Sequence, residues 1–261
     1  MAETVELTKD GQIAVLTLSR PEAYNAIDLD TAEHLANCLM SLSVDNSVRG
    51  VVLTGKGKAF CAGGDLKWML GFPQGPSAAV HTLAAHAHQA VLEIRRMKKP
   101  VIAAVNGVAA GAGFSVALAC DFRVMARSAV LQLAYPSAGL CVDGGGTFML
   151  PRIVGLARAL EITAYDRPIS SEQALSWGLA TKVVEDGHAL EEALNMARDL
   201  AERSLSSFGW SKQLLTDSFN TSFETHLERE REGIRSCAAH ADGQEGISAF
   251  IEKRKPVFNV K

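Results

Sequence analysis

Short apolar runs alternate with longer amphipathic stretches along the first two-thirds of the 261-residue chain. The runs VRGVVLTG (48–55), VIAAV (101–105) and FRVMA (122–126) have the length and composition of buried strands. Between such runs, the segments 28–42 and 78–97 place apolar residues at helical spacing, and the first of them opens on an aspartate that can cap a helix. The pattern predicts an α/β core in which strands and helices alternate.

The two ends of the chain depart from this alternation. The segment VELTKDGQIAVLTLS (5–19) predicts a hairpin, because two strand-like runs flank a Lys-Asp-Gly turn. Residues 143–164 have the pattern of two short helices around a glycine, and residues 188–253 are almost entirely helical in pattern. We therefore predict an α/β core over residues 1–200 and a helical C-terminal region over residues 201–261.

Composition and charge narrow the classes of protein that fit this pattern. Hydrophobic residues make up 48% of the chain and charged residues 21%, as in ordinary globular proteins. The net charge of −3 argues against a general nucleic-acid binder, which would carry a strong basic excess. The uncharged stretch 101–120 is interrupted by Asn106-Gly107, which favours a buried strand, a turn and a helix over a membrane span.

Cysteine usage bears on the compartment. The chain has five cysteines and no C-x-x-C pair, and an odd number without this motif is typical of unpaired thiols in a reducing environment. The segment MAETVELTKDG is acidic and poor in apolar residues, so it does not have the pattern of a secretory signal. We therefore expect a cytoplasmic protein.

Two glycine-rich turns have the same layout. In GVVLTGKGKAFCAGGDLKWML (50–70) and in PVIAAVNGVAAGAGFSVALAC (100–120), a buried strand leads through glycines into a helix start. The first N–H groups of a helix are unpaired and carry partial positive charge, so two such starts aimed at one point would bind an oxyanion. Ordinary tight turns explain either segment alone. Neither has the third glycine of a dinucleotide-binding fingerprint.

A single acid stands in the glycine-rich segment GLCVDGGGTFMLPRIVG (139–155). Asp143 has no Lys, Arg or His beside it in the sequence until Arg152. An unpaired carboxylate buried among apolar residues is costly, and its usual response is a raised pKa. The alternative is structural, since Asp143 precedes GGGTFML and could cap a helix.

Three segments together resemble a known family. AFCAGGDLKWM (59–69), KKPVIAAVNGVAAGAGFSVALACDFRV (98–124) and GLCVDGGGTFMLPRIVG are similar to the signature segments of the crotonase (enoyl-CoA hydratase/isomerase) superfamily. The resemblance extends over nearly the whole chain. It implies a crotonase-type spiral of ββα units, a helical C-terminal trimerisation region, an acyl-CoA substrate and a homotrimer or dimer of trimers, with no nucleic-acid or membrane partner.

The resemblance also implies an oxyanion hole formed by the backbone N–H groups of Gly64 and Ala112. Seven residues near these turns and near Asp143 are expected to bind the substrate: Ala62, Gly63, Asp65, Leu66, Gly111, Tyr135 and Leu140. An enolate reaction of this kind uses no metal or organic cofactor, because coenzyme A is part of the substrate. Three clustered histidines, at 81, 86 and 88, lack the pattern of a metal site.

The acids distinguish members of the family. Typical hydratases carry glutamates where this chain has Ser115 and Tyr135, so the two-carboxylate addition of water is not expected. Dienoyl-CoA isomerases and the ring-opening isomerases of phenylacetate degradation use an Asp at the place of Asp143 as proton shuttle. The resemblance therefore implies an isomerase in which Asp143 moves a proton between two carbons.

Three alternatives remain open from the sequence. In 4-chlorobenzoyl-CoA dehalogenase a histidine stands at the place of His88, which would make Asp143 a nucleophile and His88 a base. A hydratase with atypical acids is the second alternative. A non-catalytic relative that binds coenzyme A or RNA is the third, although the intact oxyanion turns weigh against it.

Binding of the substrate's two ends is less determined. Basic residues near the first signature or near the C-terminus are candidates for the CoA phosphates, although each could equally be a solvated surface residue: Arg20, Lys56, Lys67 and Lys255. For the acyl end, helix 78–97 and a mobile loop at 71–77 are expected to line the pocket. Tyr135, Phe148 and Trp68 favour a wide or aromatic acyl site.

Overall fold

The apolar runs form two β-sheets in the computed structural model, which describes residues 3–258. The strands are β1 (Val5–Asp10), β2 (Ile13–Leu18), β3 (Gly50–Gly55), β4 (Ala59–Cys61), β5 (Val101–Val105), β6 (Val108–Ala110), β7 (Phe122–Ala126), β8 (Val130–Gln132), β9 (Ile169–Ser170) and β10 (Lys182–Val184). One sheet has the order β1-β2-β3-β5-β7-β10 and the other β4-β6-β8-β9. Strands β2, β3, β5, β7 and β10 run parallel, which requires crossover connections between them.

The helices supply these crossovers and the C-terminal region. They are α1 (Leu29–Val44), α2 (Leu66–Leu70), α3 (Pro76–Arg96), α4 (Ala112–Ala119), α5 (Gly146–Val154), α6 (Leu156–Tyr165), α7 (Ser171–Ser176), α8 (Ala189–Ala201), α9 (Leu205–Asp217), α10 (Phe223–Ala239) and α11 (Ala241–Ile251). The side chain of Asp28 caps α1 by accepting the Thr31 N–H at 2.9 Å, as the sequence predicted.

A repeated unit of two strands and a helix organises the core. Strand β3 lies in the larger sheet, β4 lies in the smaller one, and α2 and α3 follow; β5, β6 and α4 repeat this order, as do β7, β8 and α5. Each turn of the chain therefore adds a strand to both sheets. This arrangement confirms the predicted spiral of ββα units.

The strands of the smaller sheet escaped prediction. The segments that form β4, β6 and β8 have three residues each. The first two lie within the predicted glycine turns, and the sequence pattern predicts no element over the third. Three residues are too few to show an alternating pattern, and these strands exist because their neighbours in the spiral pair with them. The hairpin β1–β2 and the helix pair α5–α6 are where the sequence placed them.

Helix α8 belongs to the core by its packing. Its residues Ala193 and Ala197 are fully buried in one cluster with Ile13, Val52 and Ile102 of the larger sheet. The predicted boundary at residue 200 therefore falls at the end of α8, before α9, α10 and α11. The uncharged stretch 101–120 forms β5, β6 and α4, and within residues 3–258 no helix combines the length and apolar character needed to cross a bilayer.

Candidate active site

The two glycine turns are in direct backbone contact. A Cβ on Gly63 would lie 3.0 Å from the Ala110 carbonyl oxygen and 3.3 Å from the Ala112 nitrogen. Gly63 and Gly111 have backbone φ values of +101° and +54°, which residues other than glycine rarely adopt. Glycine at both positions thus allows the turn before α2 and the turn before α4 to meet.

Two backbone N–H groups at this junction are free to bind an anion. At the first turn, the Ile27 N–H donates to the Gly63 carbonyl at 2.7 Å, and the Asp65 N–H donates to the Ile27 carbonyl at 2.8 Å. These two bonds use the residues on either side of Gly64 and leave the Gly64 N–H unpaired. Ala112 is the first residue of α4, where helical N–H groups have no partner in the helix. Within residues 3–258 neither N–H donates a hydrogen bond.

Both groups line one cavity of about 220 Å³. Nine residues predicted from the sequence line it: Ala62, Gly63, Gly64, Leu66, Gly111, Ala112, Tyr135, Leu140 and Asp143. Helix α3 supplies aliphatic side chains to the wall, namely Val80, Leu83, Ala84, Ala87 and Val91. The predicted contribution of α3 is therefore present, whereas none of residues 71–77 lines the cavity.

Two of the three aromatic residues that favoured a wide or aromatic acyl site do not line the cavity. Trp68 packs against Phe72, with 5.1 Å between the ring centroids, and does not line the cavity. Phe148 lies under the guanidinium of Arg152, with 3.5 Å from the Arg152 Cζ to the ring centroid. Only Tyr135 of the three reaches the cavity, which is otherwise mostly aliphatic.

Asp143 is neither unpaired nor a helix cap. Its Oδ1 accepts a 2.6 Å hydrogen bond from the Tyr135 hydroxyl, and its Oδ2 lies 3.4 Å from Nε2 of His88. The side chain is 35% exposed, so the expectation of an isolated buried carboxylate was wrong. Helix α5 begins after Gly145 and has no side-chain cap, which excludes the capping role. The carboxylate instead opens into the cavity.

The two positions where hydratases carry acids both hold Asp143 in place. Burial and the neighbouring carboxylate raise the pKa of Tyr135 far above its usual range, so its hydroxyl stays protonated and donates. The Ser115 hydroxyl donates at 2.8 Å to the backbone carbonyl of Asp143. The sequence showed only that Ser115 and Tyr135 lack the carboxylates of hydratases. Their contacts show that they hold Asp143.

His88 reaches the site from α3. Its Nε2 lies 3.2 Å from the Gly144 N–H as well as 3.4 Å from Asp143 Oδ2. Nε2 accepts a hydrogen bond from the Gly144 N–H when it carries no proton, and it donates to Asp143 when it carries one. The two contacts therefore belong to different tautomers or charge states of the imidazole. His86 lies instead 3.7 Å from Glu33, and residues 3–258 contain no group of three or more side chains suited to a metal ion.

Asp166 is a buried residue that the sequence did not single out. Its Oδ1 accepts the Ala134 N–H at 2.7 Å, and its Oδ2 accepts the Ser137 N–H at 3.2 Å. These bonds anchor the segment on both sides of Tyr135. No local pattern could have indicated this role, because the partners lie about thirty residues earlier in the chain.

Asp65 is engaged in structure rather than exposed to substrate. Its Oδ1 caps α2 by accepting the N–H groups of Lys67 and Trp68, both at 3.1 Å, and its Oδ2 lies 2.9 Å from the Arg20 guanidinium. Burial opposes ionisation, but these donors outweigh it and hold the pKa of Asp65 below its usual value. Asp65 does not line the cavity, and its role in substrate binding stays a prediction.

The four basic candidates differ in what they contact. Arg20 forms ion pairs with Asp65 at 2.9 Å and with Asp28 at 3.1 Å, and its role at a phosphate stays a prediction. Lys56 lies 2.8 Å from Glu6, and Lys255 lies 3.5 Å from Glu202. Lys67 is exposed on α2, between the cavity residues Leu66 and Met69, and forms no ion pair within residues 3–258. It is the candidate best placed for a CoA phosphate.

Comparisons with known proteins agree with this geometry. The family model described as enoyl-CoA hydratase/isomerase matches residues 8–261. The chain is 38% identical to the 1,2-epoxyphenylacetyl-CoA isomerase of Escherichia coli (strain K12) over 250 residues, which are 95% of each protein. It is 35% identical to a probable enoyl-CoA hydratase of Bacillus subtilis (strain 168), covering 97% of this chain and 98% of that one.

The fold of the chain is also similar to those of solved relatives. A crystal structure of an enoyl-CoA hydratase from Polaromonas sp. JS666 superposes with a TM-score of 0.92 and 38% identity, covering 97% of this chain and 98% of the other. The spiral of ββα units, the paired glycine turns and the matching residues 8–261 lead to one conclusion. The chain belongs to the enoyl-CoA hydratase/isomerase family.

Proposed function

We propose that the protein is an acyl-CoA isomerase that works through a thioester enolate, with Asp143 as the proton shuttle. The single observation that carries this proposal is the set of ionisable and hydrogen-bonding groups that line the cavity. Among the described residues that line it, Asp143 is the only carboxylate, and it shares the cavity with the free N–H groups of Gly64 and Ala112. One base beside one oxyanion hole suits proton transfer between carbons, which requires no water.

The proposed reaction begins when the thioester carbonyl oxygen accepts hydrogen bonds from Gly64 and Ala112. Asp143 then takes a proton from the α carbon, or from the γ carbon of an unsaturated acyl group. The electrons of the broken C–H bond move onto the carbonyl oxygen and form an enolate. The two N–H groups stabilise this developing charge. The carboxyl proton of Asp143, whose side chain is 35% exposed, can exchange with solvent. Transfer of a proton from Asp143 to another carbon restores the thioester carbonyl, and the double bond or ring is rearranged without net gain of atoms.

The substrate class follows from this chemistry and from the relatives. An enoyl- or arylacetyl-CoA with an acidified C–H bond is the required type, and the E. coli relative is named for an epoxyphenylacetyl-CoA. Coenzyme A enters as part of the substrate. Because only a proton moves, the reaction as proposed uses no further cofactor.

A panel of acyl-CoA thioesters tests the proposal. Purified protein is incubated in heavy-oxygen water with 3-enoyl-, 2,5-dienoyl-, epoxyphenylacetyl- and 4-chlorobenzoyl-CoA, and the products are read by mass spectrometry. We expect a rearranged product of unchanged mass from one of the first three. A product that gains labelled water would instead establish a hydratase, the activity for which several relatives are named.

His88 supports a second candidate, a hydrolase of the 4-chlorobenzoyl-CoA dehalogenase type. Its Nε2 lies 3.4 Å from Asp143 Oδ2, close enough to activate water near an ester formed on that oxygen. In this reaction Asp143 would displace chloride from the ring. A covalent aryl adduct that accumulates in His88→Gln during incubation with 4-chlorobenzoyl-CoA would favour this candidate over the isomerase.

We also propose that the chain assembles as a homotrimer or a dimer of trimers. Large apolar side chains lie exposed on and around the C-terminal helices, including Phe219 (65%), Phe223 (72%), Ile234 (71%), Phe250 (86%) and Ile251 (73%). Burial of such a set favours association. Light scattering at micromolar concentration should give the mass of three or six chains, and a monomer would contradict the proposal.

A reducing, cytoplasmic location is consistent with the thiols. All five cysteines are free, at positions 38, 61, 120, 141 and 237. Burial raises the pKa of Cys61 and of Cys120 to about 12, which keeps both thiols protonated and unreactive. We infer from this pattern that the protein functions in the cytoplasm.

A further inference from the structure

The hydroxyl of Tyr135 makes the closest polar contact of the Asp143 carboxylate. It donates to Oδ1 at 2.6 Å, whereas His88 Nε2 stands 3.4 Å from Oδ2. We propose that Tyr135 is a positioning residue that acts on the reaction through Asp143: it fixes the orientation of the carboxylate. The inference rests on the proposed function, in which Asp143 moves the proton.

Tyr135 is itself held in a defined place. Only 9% of its surface is exposed, and Asp166 binds the backbone N–H groups of Ala134 and Ser137 on either side of it. The Ser115 hydroxyl lies 3.5 Å from the Tyr135 hydroxyl and donates to the Asp143 carbonyl. A side chain fixed at its backbone and at its tip can impose an orientation on a mobile carboxylate.

The hydrogen-bonding capacity of a phenol determines how Tyr135 acts. A tyrosine hydroxyl has one proton to donate, and here that proton is directed at Asp143 Oδ1. Tyr135 therefore has no donor left for the substrate carbonyl, although its ring lines the cavity.

The same contact leaves Oδ2 as the oxygen that exchanges a proton with the acyl group. When Oδ2 is protonated, Oδ1 remains an acceptor. The bond from Tyr135 can therefore persist through both halves of the proton transfer, so the carboxyl group keeps one orientation while it takes and returns the proton.

Other titratable groups near the carboxylate must be considered in any pH experiment. His88 approaches from α3, and the Cys141 thiol lines the same cavity; α4 contributes only the neutral Ser115. Because histidine side chains titrate near neutral pH, pH profiles need to be compared both in the parent and in His88→Gln.

Tyr135→Phe tests the inference, since it removes the hydroxyl and keeps the ring. On the acyl-CoA that the panel identifies, we expect kcat to fall about tenfold to hundredfold, the effect of one hydrogen bond to a charged group. KM should stay within about twofold, because no substrate contact is lost. The rates are measured over a range of pH in both backgrounds, so that a change caused by the titration of His88 is not attributed to Tyr135.

Tyr165→Phe is the matched control. Tyr165 is 64% exposed at the end of α6, so the same loss of a hydroxyl should leave kcat, KM and the pH profile unchanged. A Tyr135→Phe protein that loses only thermal stability, or whose KM alone rises, would overturn the inference in favour of a structural or substrate-binding role.

A double-mutant cycle separates this inference from the proposed function. If Tyr135 acts through Asp143, adding Tyr135→Phe to Asp143→Asn should reduce the residual rate no further. Additive losses would contradict the positioning role while leaving Asp143 as the base. An Asp143→Asn protein with the parent's rate would instead overturn the proposed function itself.

Discussion

Asp65 and Asp143 are two aspartates in similar sequence surroundings and in opposite physical states. Asp65 follows a pair of glycines and Asp143 precedes three. Asp65 receives two backbone N–H groups and a guanidinium, and its pKa is held below the usual value. Asp143 receives one phenol hydroxyl and lies beside one histidine, and its side chain is 35% exposed.

The difference lies in what each carboxylate can still do. The donors around Asp65 fix its charge and tie the first glycine turn to Arg20, so that its contribution is to stability. The contacts of Asp143 orient it and leave Oδ2 available at the cavity surface. An acid beside glycines is therefore not by itself a sign of catalysis; the number and kind of its donors decide.

The largest expected effect comes from making the same substitution at both positions. Asp143→Asn keeps the size of the side chain but cannot take up a proton, so kcat should fall about a hundredfold to ten-thousandfold. Its melting temperature should stay close to the parent's. Asp65→Asn should show the reverse, with most of the activity per folded molecule retained. Equal losses of activity in the two variants would remove the distinction between the residues.

The proposed oxyanion hole gives the next largest expected effect. Proline at residue 112 removes the N–H but fits the first position of α4, where proline is well tolerated. Ala112→Pro should therefore fold and lose roughly a hundredfold to a thousandfold in kcat. Ala241→Pro, at the first position of α11, is the control for proline at a helix start and should be fully active. Normal turnover in Ala112→Pro would exclude its N–H from catalysis.

The stability of Asp65→Asn should depend on pH. Loss of its ion pair with Arg20 should cost about 1–2 kcal/mol of unfolding free energy at pH 7. Because folding lowers the pKa of Asp65, its contribution is complete above the unfolded value of about 4 and is lost as the pH falls through the lower folded value. Chemical denaturation at several pH values should show the parent and variant converging in acid; a constant difference would contradict the assigned ion pair.

The smallest effect concerns the CoA end of the substrate. Lys67→Ala should raise KM about twofold to fivefold with kcat unchanged, the size of one exposed charge pair. The increase should shrink at high salt. Lys255→Ala is the control, because Lys255 lies near Glu202 and does not line the cavity. A larger effect at Lys255 than at Lys67 would place the phosphates elsewhere.

The helices and the glycine turns could largely be predicted from the sequence, whereas the contacts of the two aspartates could not, for a physical reason. Long periodic segments such as α1 and α3 follow from local spacing, and the glycine turns follow from motifs that lie within a few residues. The contacts that separate the two aspartates are distant in sequence: Arg20 and Asp65 are 45 residues apart, and His88 lies on another helix. Only the fold brings these groups together.

Asp143 is the group that moves the proton in the proposed reaction, and exchange of substrate protons with solvent tests this role most directly. An enolisable acyl-CoA from the panel is incubated in deuterium oxide with the parent, with Asp143→Asn or with Asp65→Asn. NMR then follows the replacement of hydrogen by deuterium at the α and γ carbons of the acyl group. We predict deuterium uptake with the parent and with Asp65→Asn, and uptake at least about a hundredfold slower with Asp143→Asn. Uptake at the parent's rate in Asp143→Asn would contradict the assignment of Asp143 as the base.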